Sequence, residues 1–148
     1  MPIPDSLREL VAKGPHAHLT TLNKDGSPQV SVVWVGIEDD EFVMGHMGVW
    51  QKVRNVRRDP RVCLSFLSDT KTPMGILEYV AVYGEARVTE GGGAELLQRL
   101  APLYLGPLAV FPPESHRDRP SYITRVKPSR FTGVGPWSPR TPARERAG

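Results

Sequence analysis

Breaker residues come so often along this chain that no long helix can run uninterrupted through most of it. Fourteen glycines and fifteen prolines fall among 148 residues, yet 39% of the chain is hydrophobic. A helical bundle needs longer breaker-free stretches, and a disordered chain carries fewer apolar side chains. What is left is a fold of short strands and turns, one domain in size and able to bury a core.

The segments between the breakers bear this out. Residues 5–13 place Leu7, Leu10 and Val11 at helical spacing, with Asp5 as the expected cap and Gly14-Pro15 as the stop. Two β-branched segments then flank Asn23-Lys24-Asp25-Gly26-Ser27, where Asp-Gly suits the positive backbone angles of a tight hairpin. A second turn at Glu38-Asp39-Asp40 leads into EFVMGHM, so the first 47 residues read as a three-stranded antiparallel meander.

At Val49 the period changes. Trp50, Val53 and Val56 recur every three residues, with Lys52, Arg54, Asn55, Arg57 and Arg58 on the other faces. Pro60 closes this short basic helix and pushes Asp59 away from helical angles. RVCLSFLS reads as an apolar strand, DTKTPMG as a loop, and ILEYVAVYGEARVTE as a long strand with a bulge or bend at Gly84. Leu96, Leu97, Leu100 and Leu103 mark a helix that Pro102 and Pro107 keep short or kinked. After an irregular AVFPPESHRDRP come two short strands, SYITRV and SRFTGV, divided by Lys127-Pro128. The last dozen residues lack apolar periodicity and read as a loose tail.

About six short strands with little helix to cover them point to a mainly β fold, a β-barrel with short helices. Both faces of QVSVVWVGI and ILEYVAVYG are apolar, which a homodimer built on those strands would explain. No apolar run approaches the ~20 residues of a membrane span, and MPIPDSLREL lacks the charged start and apolar stretch of a secretory signal. A cytoplasmic protein without membrane contact is expected. The single cysteine, Cys63, excludes an internal disulfide and a multi-cysteine metal site, and no metal is expected.

Charge is concentrated. Residues 50–61 carry a local +4 and residues 116–148 a local +6, so the rest of the chain is −7 although the net charge is only +3. A localised anion site fits that distribution better than a polyanion-coating surface. Nucleic acid is a poor candidate partner, because aromatic residues are not interleaved with the basic clusters and the acidic remainder repels phosphate. The basic helix start follows a glycine-containing strand end (Gly45, Gly48), which combines free backbone N–H groups with Lys52 and Arg54. A solvated basic face is the plain alternative.

These residues resemble a known family. LTTLNKDGSPQVSVVWV, QKVRNVRRDPRVCLSF and EYVAVYGEARV are similar, in that order along the chain, to segments of the FMN-binding split-barrel proteins, the pyridoxamine 5′-phosphate oxidase-like superfamily. NVRRDPRV and the short length look most like its branch that uses the deazaflavin coenzyme F420. The resemblance implies one split-barrel domain over residues 1–135 with a tail at 136–148, a homodimer, and hydride transfer between F420 and a small unsaturated or carbonyl-containing molecule. FMN is the alternative cofactor, and a non-catalytic F420-binding protein the alternative role.

It further implies that Lys52 contacts the cofactor phosphate with Asn55 nearby, and that Ser31, Val32, Val33 and Trp34 lie on the strand beside the flavin-like ring. Tyr79 lies on a strand used near the site. Gln51 stands where the vitamin B6 oxidases have an arginine, which favours F420, and Arg54 and Arg58 suit the phosphodiester and carboxylates of its tail. Trp50 either stacks on the cofactor or packs. No protein acid or base is assigned, because the hydride chemistry belongs to the cofactor. His46 reads as a hydrogen-bonded structural residue rather than a haem ligand or carbonyl-polarising group, Cys63 as a buried inert thiol, His16 and His18 as exposed. Arg57 and Arg61 read as solvated or salt-bridged, and Trp137 as a packing residue that pins the chain end onto the dimer.

Overall fold

The computed structural model describes residues 1–138. In chain order its elements are α1 (Asp5–Val11), β1 (Ala17–Leu22), β2 (Pro28–Val33), β3 (Gly36–Glu38), β4 (Glu41–His46), α2 (Gln51–Arg58), β5 (Arg61–Lys71), β6 (Leu77–Glu90), α3 (Gly93–Leu105) and β7 (Tyr122–Val134), with a 3-10 turn at Glu114–His116. The strands form one antiparallel sheet in the order β2-β1-β5-β6-β7-β4-β3.

β2 and β3 are the two edges of that sheet, yet only Trp34 and Val35 lie between them. From Val33 to Gly36 the chain spans at most about 11 Å. The two edges must therefore meet, and the sheet curls into a barrel closed there by covalent backbone rather than by a hydrogen-bonded ladder. The expected mainly β split barrel is what forms. The expected three-stranded meander is not: QVSVVWVGI breaks at Trp34-Val35, and its halves serve opposite edges.

A second correction concerns β7. Lys127-Pro128 was expected to divide two strands, but one strand runs through from Tyr122 to Val134. Proline cannot donate to a ladder, and a bulge accommodates it: Tyr83 faces Arg130 while Gly84 faces Pro128, leaving Ser129 extra. The Ser129 hydroxyl donates to the Tyr83 carbonyl at 3.0 Å. Gly84 makes the close approach feasible, since a Cβ there would lie 2.3 Å from the Lys127 carbonyl oxygen. The break anticipated at Gly84 is thus this bulge.

Smaller differences have local causes. Pro4, not Asp5, caps α1, and no side chain bonds the helix end. β5 extends to Lys71, into the segment read as a loop. In the first hairpin Gly26 alone takes positive φ (85°), while the Asp25 carboxylate accepts from the Ser27 N–H at 3.0 Å. Trp137 does pack, but on its own barrel, where it is buried and its indole N–H donates to the Tyr79 carbonyl at 2.8 Å. Of the expected tail, residues 139–148 lie outside the described residues.

Inside, Leu19, Phe42, Met44, Leu64, Phe66 and Val126 form the core, joined by Leu7, Leu10 and Val11 of α1 and Val56 of α2. α3 packs on β4, and α2 lies against β1, β2 and β6. No helix among the described residues is long and apolar enough to cross a membrane.

Candidate functional site

The basic helix is tied to the first hairpin by one buried amide. Asn55 Nδ2 donates to Thr21 Oγ1 (3.0 Å) and to Asn23 Oδ1 (2.9 Å), and its Oδ1 accepts from Gln51 Nε2 (2.8 Å). Both amide hydrogens and the carbonyl oxygen are used, so Asn55 holds α2 in place rather than facing a groove. Thr21 extends the network by donating to Gln29 Oε1 at 3.0 Å. Between the 23–29 hairpin and Gln51 lies an open polar cleft of about 570 Å³, whose Asp25 carboxylate is occupied by Ser27.

Three cations of α2 form no salt bridge among the described residues. Arg54 donates to the Val49 carbonyl (2.9 Å) and Gln51 Oε1 (2.8 Å), and Arg58 donates to the Leu22 carbonyl. Lys52 is half-buried, and no carboxylate among the described residues reaches it. Burial lowers its pKa below the usual lysine value, the mark of an ammonium that has lost water without gaining a partner. By contrast, Arg57 reaches Glu90 at 3.9 Å and the Tyr122 ring, and Arg61 pairs with Asp59 at 2.8 Å.

His46, at the end of β4, is buried and its Nε2 shares a 2.8 Å hydrogen bond with Thr124 Oγ1. Burial pushes its pKa down to about 3, with the Lys52 charge adding to the shift. The structural reading of this histidine is the one the geometry supports. His16 and His18 are exposed, and Cys63 is half-buried on the outer face rather than enclosed, its thiol pushed up by burial.

β2 runs away from this corner as a free edge strand. Its side chains alternate. Val33 points into the core, and Ser31 sits opposite core residue Leu19 with its hydroxyl enclosed and without a hydrogen-bond partner. Val30 and Val32 face outward at 56% and 59% exposure. The cross-strand register extends them into rows, Val30-Thr20-Cys63-Tyr83 and Val32-His18-Ser65-Ala81, with Leu67 and Tyr79 in the next. Exposed Val30, Val32, Leu67, Tyr79 and Tyr83 make this outer face apolar.

The expected site residues thus fall into two groups. Gln51, Arg54, Asn55 and Arg58 are linked to one another or to the hairpin end, and Lys52, on the same helix, lies near His46 at the end of β4. Tyr79 and Trp34 do not join them within the chain: Tyr79 stands in the row farthest from the hairpin turn, and Trp34 stacks on Tyr104 with centroids 5.3 Å apart. Trp50 leaves the apolar stripe of its helix and is 54% exposed at the helix cap. Sequence reasoning missed Thr21, Asn23 and Gln29, which position Asn55. It also missed Phe111, His116 and Arg119, which line a second cavity with Trp50. For the first three the alternation of β1 and β2 was the available signal, since it turns Thr21 inward opposite Gln29.

A family model for pyridoxamine 5′-phosphate oxidase matches residues 3–135. The chain belongs to that family. Its solved structural relatives include an F420 reductase, 27% identical, with a TM-score of 0.68 over 88% of this chain and 98% of that one. A conserved hypothetical protein from Mycobacterium tuberculosis is 24% identical, with a TM-score of 0.68 over 95% and 87%. A heme storage protein from Vibrio cholerae shares the fold at 13% identity and a TM-score of 0.62, over 90% and 95%. No curated protein sequence matches. Membership supports a flavin- or deazaflavin-binding, oxidoreductase-like protein.

Proposed function

We propose that this protein is a cytoplasmic, homodimeric F420-dependent reductase. The observation that carries the reading is the set of three cations on α2, Lys52, Arg54 and Arg58, that form no salt bridge among the described residues, on a helix that packs against the edge strand β2. A half-buried unpaired ammonium costs stability, and an anionic ligand offsets that cost. A tail with a phosphodiester and carboxylates supplies anions enough to occupy all three. The 27% identity to an F420 reductase over nearly the full chain supports the same choice.

In this reading Lys52, Arg54 and Arg58 hold the anionic tail, and the unpaired backbone groups of β2 between Ser31 and Trp34 border the ring. Gln51 and Asn55 position them, and Trp50 flanks the ring. When bound in reduced form, the deazaflavin supplies a hydride, and the double bond of a small unsaturated or carbonyl-containing substrate takes that hydride at one atom and a solvent proton at the other. The exposed apolar face of β2, β5 and β6 is where a second copy packs, bringing its Tyr79 row towards the first copy's open edge. An FMN-dependent oxidoreductase is the second reading, favoured by the family model; against it, Gln51 supplies no charge and spends its amide on Asn55 and Arg54.

Titrating the purified protein with F420 and with FMN, followed by fluorescence quenching, tests the proposal. Micromolar binding of F420 with weaker FMN binding is expected; tight FMN binding without F420 binding refutes it. Oxidation of reduced F420 on adding an enone separates a reductase from a carrier that binds without turnover.

A further inference from the structure

A second cavity, of about 340 Å³, lies against Trp50 at the cap of α2. One wall is Met47 and Trp50, from the β4–α2 connection; the other is Phe111, Pro112 and Pro113, from the chain that follows α3. His116, from the 3-10 turn, and Arg119, three residues further on, complete it. Trp50 and Gln51 are consecutive, and one lines this cavity while the other lines the polar cleft of the hairpin. Both hollows are therefore lined from the start of α2.

The chemistry of the walls is uneven. Five of the lining residues offer apolar surface, and two of these are aromatic. Phe111 is braced by an edge contact to Trp34 (5.4 Å, 67°), which itself stacks on Tyr104. The Trp50 ring lies across Gly48, where a Cβ would meet it at 2.8 Å, so a side chain at position 48 would displace the ring. The polar groups are all basic or protonatable. No carboxylate lines the cavity, and Arg119 has none within salt-bridge distance among the described residues. In the same turn Arg117 keeps its Nε enclosed with no hydrogen-bond partner. An apolar slot with aromatic walls and an unpaired guanidinium selects a flat apolar body that carries an anion.

We infer that this cavity is the substrate-selecting pocket, and that it takes a planar unsaturated carboxylate, its flat body between Trp50 and Phe111 and its carboxylate on Arg119. The inference deepens the reductase reading and rests on it, because it makes the neighbour of the cofactor seat the place where the substrate is chosen. The loop 111–119 sets specificity while α2 sets the cofactor.

Calorimetric titration of the full chain with cinnamate and with its neutral amide, each with and without saturating F420, tests it. Cinnamate should bind more tightly than the amide and alongside F420, without displacing it. Arg119→Met should weaken cinnamate about tenfold or more, ~1.4 kcal/mol, while leaving amide binding, F420 affinity and the melting temperature unchanged, and Arg119→Lys should keep most of the preference for the acid. Equal binding of acid and amide, competition between cinnamate and F420, or an Arg119→Met variant that binds cinnamate like the parent overturns the inference. Failure of F420 to bind while cinnamate still selects Arg119 would instead sink the reductase reading and leave the pocket standing.

Discussion

Replacing Lys52 by methionine separates a ligand-holding cation from an ordinary surface lysine, because it moves binding and stability in opposite directions. Methionine keeps most of the stem and removes the charge. In the folded chain the ammonium is half-buried, no carboxylate pairs with it, and burial lowers its pKa. Its charged form is therefore a liability without ligand. That penalty is in full force below the lowered pKa and disappears as pH rises through it towards the ordinary lysine value. The variant should melt at the same temperature as the parent or higher at pH 7, with the difference shrinking as pH rises towards the ordinary lysine value and gone above pH ~10.

With cofactor the sign reverses. A hydrogen bond to a charged group contributes about 1.5–3 kcal/mol, so losing one to a phosphate should weaken F420 binding by about 10- to 150-fold. The His46 imidazole supplies an internal check. Lys52 contributes to holding its pKa near 3, so removing that charge should move the His46 titration upward in NMR. Fluorescence titration, thermal melting and the His46 resonance together decide the matter. Unchanged F420 affinity refutes the assignment of Lys52. A fall in the melting temperature of the ligand-free protein of more than about 4 °C, ~1 kcal/mol for a domain of this size, refutes the claim that the charge is unpaired.

Other perturbations reach different parts of the argument. Asn55→Leu strands the polar groups of Thr21, Asn23 and Gln51 and should cost about 3 kcal/mol, read from the urea midpoint, with F420 affinity falling as α2 loosens. His46 takes up a proton near pH 6.5 when unfolded but only near pH 3 when folded, so stability should fall with acidification across that window by about 1.4 kcal/mol per pH unit. His46→Gln should flatten that slope in denaturant titrations at pH 4 and 7. Gly84→Ala drives a Cβ into the Lys127 carbonyl and should destabilise by about 1–3 kcal/mol, seen as a lower melting temperature. Val32→Glu places a charge in the exposed apolar face and should turn a dimer into a monomer in sedimentation, leaving the monomer folded.

What the residues alone conveyed was the character of each segment rather than its neighbours. The basic helix, its stop at Asp59-Pro60 and the bulge at Gly84 are local, and each was legible from spacing and backbone preference. The sheet order was not, because nothing in QVSVVWVGI says that its two halves belong to opposite edges. Pro128 misled for a related reason: a proline ends a strand unless a glycine across the ladder makes room for a bulge, and that glycine lies 44 residues away. In the site, charge betrayed Lys52, Arg54 and Arg58. Asn55 was expected near the phosphate beside Lys52, whereas the inward-turned Thr21 and the nearby Asn23 claim its amide.

The order of the strands also bears on how this chain is made. β4 finds its inner neighbour only in β7, some eighty residues downstream, and β7 is also the strand that lines up with nearly the whole of β6. During synthesis the β1–β2 hairpin, β5 and β6 can assemble as they emerge, while β3 and β4 wait as an unpaired ribbon with Phe42, Val43 and Met44 in it. Only the arrival of β7 gives that ribbon a place, so the nascent barrel spends most of translation with an exposed apolar strand. A premature stop before residue 122 would release a sticky half-sheet instead of a slightly shortened barrel, and quality control in the cell would meet this protein as an all-or-nothing product.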